Sequence, residues 1–329
     1  MRIVVTGGTG FTGKVLVKRL LSEGHEVLAL DYQEGFKTAE IKDWGGEVII
    51  GSVTDKSVVE KALKGADIVH HLAAAFRELN VPESYYDEVN VEGTRNVLEI
   101  AEKQGVKKFV YCSTCGVHGN IDHPPADESA PINAADYYQQ TKYLAEPIVQ
   151  EFAARGMKCT ILRPTALYGP GDKDRFGMIF RRINKGSFPI FGSGKVFYHP
   201  VYVENYVDAT LLAQVPGVGD GETYLIGDER YLSIEELVLE VATAMGVRDT
   251  VKIPHYPLMP LRIAGHLTEW ACKPFGVAPP IFPRRVDWYR QNRAFDISKA
   301  KRDLAYQPMV TLEEGLKNTY EWYRAENFL

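Results

Sequence analysis

Tyr138 and Lys142 stand four residues apart in the run Tyr138-Gln139-Gln140-Thr141-Lys142. On a helix that spacing sets a phenol and an ammonium on one face. An ammonium a few ångströms away stabilises the phenolate and draws its pKa down from about 10 toward neutrality. A tyrosine so placed can take the proton of a secondary alcohol, or return one to a ketone. Tyr and Lys pair this way on many surface helices, so the pair gains meaning only from what the chain sets beside it.

A phosphate cradle is the second chemical signal. The apolar run Ile3-Val4-Val5 feeds into Thr6-Gly7-Gly8-Thr9-Gly10-Phe11-Thr12-Gly13, and a helical pattern begins near Lys14. Gly7 lets the chain turn off the strand, Gly10 lets backbone approach a pyrophosphate, and Gly13 lets the helix pack close to the sheet. Free N–H groups at that helix start face the anion. The next strand, Val27-Leu28-Ala29-Leu30, ends on Asp31. A carboxylate there accepts from both ribose hydroxyls of an adenosine and repels a 2′-phosphate. No Arg or Lys follows until Lys37, so NAD is expected rather than NADP.

Composition fits a globular enzyme. The chain has 329 residues, 45% of them hydrophobic and 25% charged, with a net charge of −5. That balance gives no reason to expect a nucleic-acid partner. No apolar run reaches the ~18 residues of a spanning helix, and a strand begins at Arg2, so a cytoplasmic protein without an integral membrane segment is expected. The Cys112-x-x-Cys115 pair has no second pair to complete a zinc site and lies at the end of a strand rather than opening a helix. No metal is expected.

The glycine spacing G-x-x-G-x-x-G in residues 7–13 resembles that of the short-chain dehydrogenase/reductase superfamily, and TGGTGFTG is most similar to its extended, NAD-dependent epimerase/dehydratase branch. The likeness extends along nearly the whole chain. It includes His71-Leu72-Ala73-Ala74, Asn90-Val91-Glu92-Gly93-Thr94, Arg163-Pro164-Thr165 and Tyr168-Gly169-Pro170-Gly171. Cys112-Ser113-Thr114-Cys115-Gly116-Val117-His118-Gly119 resembles the family's S-S-x-x-V-Y-G segment. The resemblance implies Thr114, Tyr138 and Lys142 as catalytic residues, with the Thr114 hydroxyl polarising the substrate oxygen. It implies a cofactor seat of Gly7, Thr9, Gly10, Phe11, Thr12, Asp31, Ser52, Val53, Leu72, Ala73, Ala74, Asn90, Cys112, Ser113, Tyr138, Lys142, Pro164 and Thr165. Ser52 stands where the family has Asp, and His118 where it has Tyr. His71 reads as a core histidine.

The substrate side is less defined. The aperiodic stretch 75–86, with Phe76 and Arg77, is expected to form one pocket wall, with Cys115 and His118 facing it. Tyr198 aligns with the arginine that grips a diphosphate in nucleotide-sugar enzymes, and Arg175, Arg285 or Arg293 are the possible substitutes. This absence and the apolar segment 253–283 make the sequence more similar to 3β-hydroxysteroid dehydrogenases and dihydroflavonol reductases. That segment reads as packing, as a lid, or as a membrane-surface patch. The two reactions to weigh are NAD-dependent oxidation or reduction at a secondary alcohol or ketone, and nucleotide-sugar epimerisation or dehydration with tightly held NAD. A regulator that kept only the fold would be expected to lose Tyr138 or Lys142.

Strands alternating with helices specify a right-handed, doubly wound parallel sheet of Rossmann type with a smaller α/β substrate-binding part. Residues 1–170 are expected to form the NAD-binding domain, with returns from about 195–230, and 171–329 mainly the substrate-binding domain. Family members dimerise through the tyrosine helix; Pro147 inside that helix predicts a kink.

Overall fold

Ile3, Val4 and Val5 are fully buried, the condition for a strand covered on both faces, and β1 (Arg2–Thr6) runs through the interior of a parallel sheet. The computed structural model describes residues 1–34, 38–76, 81–272 and 286–329. From β1 the chain continues through α1 (Phe11–Ser22), β2 (Glu26–Asp31), α2 (Thr38–Asp43), β3 (Glu47–Ile50), α3 (Lys56–Leu63) and β4 (Ile68–His71). After α4 (Glu83–Tyr86) a π-helical stretch, Asp87–Glu92, leads into α5 (Gly93–Lys103), β5 (Lys108–Cys112), α6 (Tyr137–Ala154) and β6 (Cys159–Pro164).

Local chemistry sets several of these boundaries. Asp55 caps α3 by accepting from the N–H groups of Ser57 and Val58, as its position before an amphipathic run predicts. Asp136 does the same for α6 through the N–H of Gln139. α6 runs unbroken past Pro147. Gly24, at φ +81°, releases the chain from α1 into β2.

The second half begins with β7 (Ala166–Tyr168), α7 (Arg175–Asn184), β8 (Ile190–Phe191), β9 (Phe197–Tyr198), β10 (Pro200–Tyr202) and α8 (Val203–Ala213). It continues through β11 (Thr223–Ile226), β12 (Leu232–Ser233), α9 (Ile234–Ala244), β13 (His255–Tyr256) and α10 (Leu258–Cys272). Two further helices, α11 (Ser298–Leu304) and α12 (Leu312–Ala325), close the described chain. β11 pairs in parallel with β6, giving a seven-stranded sheet of order β3-β2-β1-β4-β5-β6-β11. The doubly wound Rossmann-type fold expected from the strand–helix alternation is therefore the one observed.

Alternate residues of the strands bury into two layers. Ile3, Val5, Val27 and Ala29 pack with Leu16, Val17 and Leu20 of α1 and Val207 of α8. Val4, Leu28, Val69 and Phe109 pack on the other face with α3, α5 and α6. A separate, aromatic-rich core holds α7, α9 and α12 together through Tyr168, Phe176, Phe180, Tyr198, Trp288 and Tyr323. The strand order reverses between β1 and β4, and a crevice at the carboxyl ends of strands there is where open α/β sheets bind ligands.

Candidate active site

The glycine turn is set by backbone contact. Gly7 has φ +70°, and a Cβ on it would stand 2.8 Å from the Ala73 nitrogen at the end of β4. A Cβ on Gly13 would meet the Gly7 carbonyl oxygen at 2.1 Å, so both positions accept only glycine. No side chain caps α1 behind Gly10, which leaves its N-terminal dipole facing the crevice. Asp31 accepts from the Thr9 N–H at 3.0 Å and the Thr9 hydroxyl at 2.7 Å, so the end of β2 holds the turn in place. These features fit a dinucleotide pyrophosphate: the turn has no room for side chains, and the helix end is uncapped. Gly10, Phe11, Thr12, Asp31, Ser52, Leu72, Ala73 and Ala74 all keep some solvent exposure along this edge.

Lys142 is the most unusual group in the site. It is 1% exposed, its Nζ lies 4.2 Å from the Tyr111 ring centroid, and its ammonium makes no ion pair or hydrogen bond among the described residues. Burial lowers its pKa to about 8. One helical turn earlier, Tyr138 is partly exposed and packs edge-on against Phe76, with ring centroids 4.8 Å apart. Thr114 ends the β5 segment in extended conformation, and its hydroxyl accepts from the Gly116 N–H at 3.1 Å. A hydroxyl that accepts there retains its own hydrogen for another acceptor.

Three expected contact residues are committed elsewhere. Asn90 is fully buried: its side-chain oxygen accepts from the Ala75 N–H at 2.7 Å, and its amide donates to the Thr141 hydroxyl at 2.9 Å. It pins the loop after β4 to the tyrosine helix and has no surface for a cofactor. Ser113, 2% exposed, donates to Glu146 rather than facing the crevice. His118 does not line an open pocket wall either. Its Nδ1 donates to the Ala130 carbonyl at 3.0 Å, which leaves Nε2 to accept from Arg163 Nη1 at 2.9 Å. Burial and the adjacent Arg163 lower its pKa, so it sits there neutral.

These last contacts converge on an ion pair that sequence reasoning missed. Arg163 donates to both oxygens of Glu146, at 3.0 and 2.6 Å, inside the protein. Both ends of the turn carrying Thr114, Ser113 and His118, are thereby tied to this pair. Tyr138, Lys142 and Glu146 recur every four residues, so helical spacing alone could have drawn attention to Glu146. His71, expected in the core, is fully buried between the hydroxyls of Thr6 at 2.7 Å and Thr94 at 3.0 Å, and burial lowers its pKa to about 3. Val53, Pro164 and Thr165 are buried beneath the crevice, and Cys112 is partly exposed.

On the substrate side, Arg175 donates to the Tyr198 hydroxyl and lies over that ring, 5.5 Å from its centroid. Tyr198 also bridges to Arg293 through the backbone. The position where family likeness expects an arginine is a tyrosine that gathers two. Neither Arg175 nor Arg293 forms an ion pair among the described residues, and Arg293 Nε is buried without a hydrogen-bond partner. Both act electrostatically on Cys115, the residue after Thr114. Burial nevertheless pushes the Cys115 thiol up to about 11, far from a reactive thiolate. Arg77 and Arg285 lie outside the described residues.

Known proteins share this arrangement over the whole chain. Residues 3–227 match the model of the NAD dependent epimerase/dehydratase family. A 3-beta-hydroxysteroid dehydrogenase of Mycolicibacterium neoaurum is 32% identical, the match covering 98% of this chain and 91% of the relative. The N-acetyl-alpha-D-glucosaminyl-diphospho-ditrans,octacis-undecaprenol 4-epimerase of Escherichia coli O157:H7 is 30% identical, with 98% and 96% covered. Among solved structures, the UDP-glucose 4-epimerase of Thermotoga maritima with UDP-glucose superposes with a TM-score of 0.81 at 29% identity, covering 99% of this chain and all of that one. With the glycine turn, the sheet order and the tyrosine helix agreeing with a match of this extent, the chain belongs to the NAD-dependent epimerase/dehydratase family and is an NAD-dependent oxidoreductase of the extended short-chain dehydrogenase/reductase type.

Proposed function

We propose that this enzyme is a dehydrogenase or ketoreductase that interconverts a secondary alcohol and a ketone, with Tyr138 handling the proton. The observation that carries the reading is Lys142: a buried ammonium without an ion pair, one helical turn from a partly exposed phenol. A buried cation whose contact is an aromatic face rather than a carboxylate is costly to hold, and such a group fits a site that a ligand completes. Lys142 would hold the nicotinamide ribose and stabilise the Tyr138 phenolate. When bound, NAD supplies the hydride acceptor, or NADH the donor. Thr114 donates its hydroxyl hydrogen to the substrate oxygen, and Tyr138 Oη takes the alcohol proton or returns it to the ketone. Asp31, at the end of β2, supports NAD over NADP. Its carboxylate would repel a 2′-phosphate, and no Arg or Lys follows before Lys37.

A second reading, nucleotide-sugar epimerisation or dehydration, is favoured by the arginines. Arg175 and Arg293 together form a cationic spot beside Thr114 with no carboxylate in ion-pair contact among the described residues, which suits an anionic group on the substrate. Under this reading the hydride returns to the intermediate and no NADH accumulates. We also read the protein as a cytoplasmic homodimer associating through α6, where Leu144 is half exposed on the outer face.

The test is turnover with added NAD on hydroxysteroids and on nucleotide sugars, following NADH absorbance and epimer formation in parallel. The dehydrogenase reading expects NADH in proportion to ketone. An epimer formed by co-purified NAD would transfer the assignment to the second reading. In either case Tyr138→Phe should lower kcat by about 10²–10⁴ with little change in NAD binding. Full turnover in that variant would remove Tyr138 from the chemistry.

A further inference from the structure

Helix α10 turns an apolar face to solvent. Met259, Ile263, Leu267 and Trp270 are 59%, 55%, 59% and 78% exposed, and their spacing of four, four and three residues puts them in one stripe. The opposite side is anchored: Leu258, Leu261 and Ala264 are partly buried, Gly265 is buried, and the preceding β13 pairs with β8. α10 therefore has apolar residues both toward the protein and away from it. His266 is the one exposed polar side chain described on the outer side. A contiguous stripe of this kind marks an interaction surface, unlike apolar residues exposed singly.

Charge indicates the occupant. Residues 252–285 hold five Lys or Arg (Lys252, Arg262, Lys273, Arg284 and Arg285) against one acid, Glu269, in a chain whose net charge is −5. A net-cationic stretch of an acidic protein thus includes this exposed apolar helix. A second copy of the chain would bring the same positive charge to the contact, and a four-residue stripe falls short of the ~800 Å² per partner of a stable interface. Fifteen residues of helix span about 22 Å, too short to cross a bilayer core of ~30 Å. A helix of that length, with Trp270 near one end and Lys252, Arg262 and Lys273 before, within and after it in the sequence, suits the plane of a lipid surface.

We propose that the outer face of α10 docks this enzyme on an anionic membrane surface, with Met259, Ile263, Leu267 and Trp270 entering the headgroup–acyl boundary. The docking is independent of which reaction the active site performs. It places the substrate half, rather than the NAD-binding crevice, against the lipid.

Co-sedimentation of the full chain with vesicles tests this. Vesicles of phosphatidylglycerol and phosphatidylcholine should pull the protein down, pure phosphatidylcholine should do so weakly, and salt should reduce the difference. Leu267→Asp and Trp270→Asp should each weaken binding by roughly tenfold or more, while the NAD-dependent rise in melting temperature stays as in the parent. If either aspartate lowers the melting temperature, Met259→Ser/Trp270→Ser adds no charge and should give the same loss of binding. Failure of the parent to bind either vesicle would overturn the proposal, as would undiminished binding by the variants. Sedimentation equilibrium in which Trp270→Asp dissolves a dimer would assign the face to a second copy instead.

Discussion

The two halves of this molecule build the places proposed for their ligands by different means. In the first half the proposed NAD seat is main chain: a turn where a Cβ on Gly13 or Gly7 would meet backbone at 2.1 or 2.8 Å, an uncapped helix end, and strand ends in fixed register. In the second half the proposed substrate seat is built from side chains: Arg175 on α7, Tyr198 on β9 and Arg293 from the far C-terminal region meet only on folding. Main-chain seats are shared across a family because they depend on geometry more than on residue identity. A side-chain seat can change its chemistry by one substitution, and here Tyr198 stands in for an arginine while recruiting two others. That contrast explains why relatives named as steroid dehydrogenase and as sugar epimerase match this chain almost equally well.

The sharpest way to break this comparison is Gly13→Val. Its side chain would collide with the Gly7 carbonyl, which cannot yield without moving β1, so loss of NAD-induced thermal stabilisation is expected together with destabilisation of more than about 3 kcal/mol. Normal NAD binding in this variant would mean that the seat is not set by backbone contact.

Lys142 lies in the first half against Tyr111 of β5, and its removal should separate stability from activity. Burial lowers its pKa from 10.5 to about 8, so the folded protein gives up a proton that the unfolded chain keeps. The resulting penalty is full below pH 8 and fades as pH rises from about 8 toward 10.5. Lys142→Met should therefore abolish turnover yet raise the melting temperature at pH 7, by up to about 3 kcal/mol in stability, with the gain shrinking near pH 10. A variant less stable than the parent at pH 7 would show that the ammonium contributes more through Tyr111 than its burial costs.

Arg293→Met should have the smallest effect on the fold. Its guanidinium makes no ion pair among the described residues, so stability should change by less than about 1 kcal/mol, while KM for an anionic substrate rises roughly tenfold and kcat holds. A large loss of stability with unchanged KM would make Arg293 a structural residue and erase the distinction between the two seats.

Legibility followed the same division. The parallel sheet, the glycine turn, the Asp55 cap and the capping box of Ser233 and Glu236 follow from local spacing, and the structure has each of them. Asn90, Ser113 and His118 sit in motifs that the family uses near the cofactor, but their side chains turn to Thr141, Glu146 and Arg163. A motif gives a residue's place along the backbone, and buried hydrogen bonding decides which way its side chain is spent.

The sequence by itself determined the doubly wound sheet, the glycine turn and the shared helix face of Tyr138 and Lys142, because each rests on residues within a few positions of one another. Tertiary structure alone decided that Glu146 and Arg163 brace the Thr114 turn, that Arg175 and Arg293 meet at Tyr198, and that α10 presents its stripe outward. Those arrangements join segments 17 to 118 residues apart, or depend on which of a helix's apolar sides the rest of the chain covers. No local spacing carries that information; only the packed chain does.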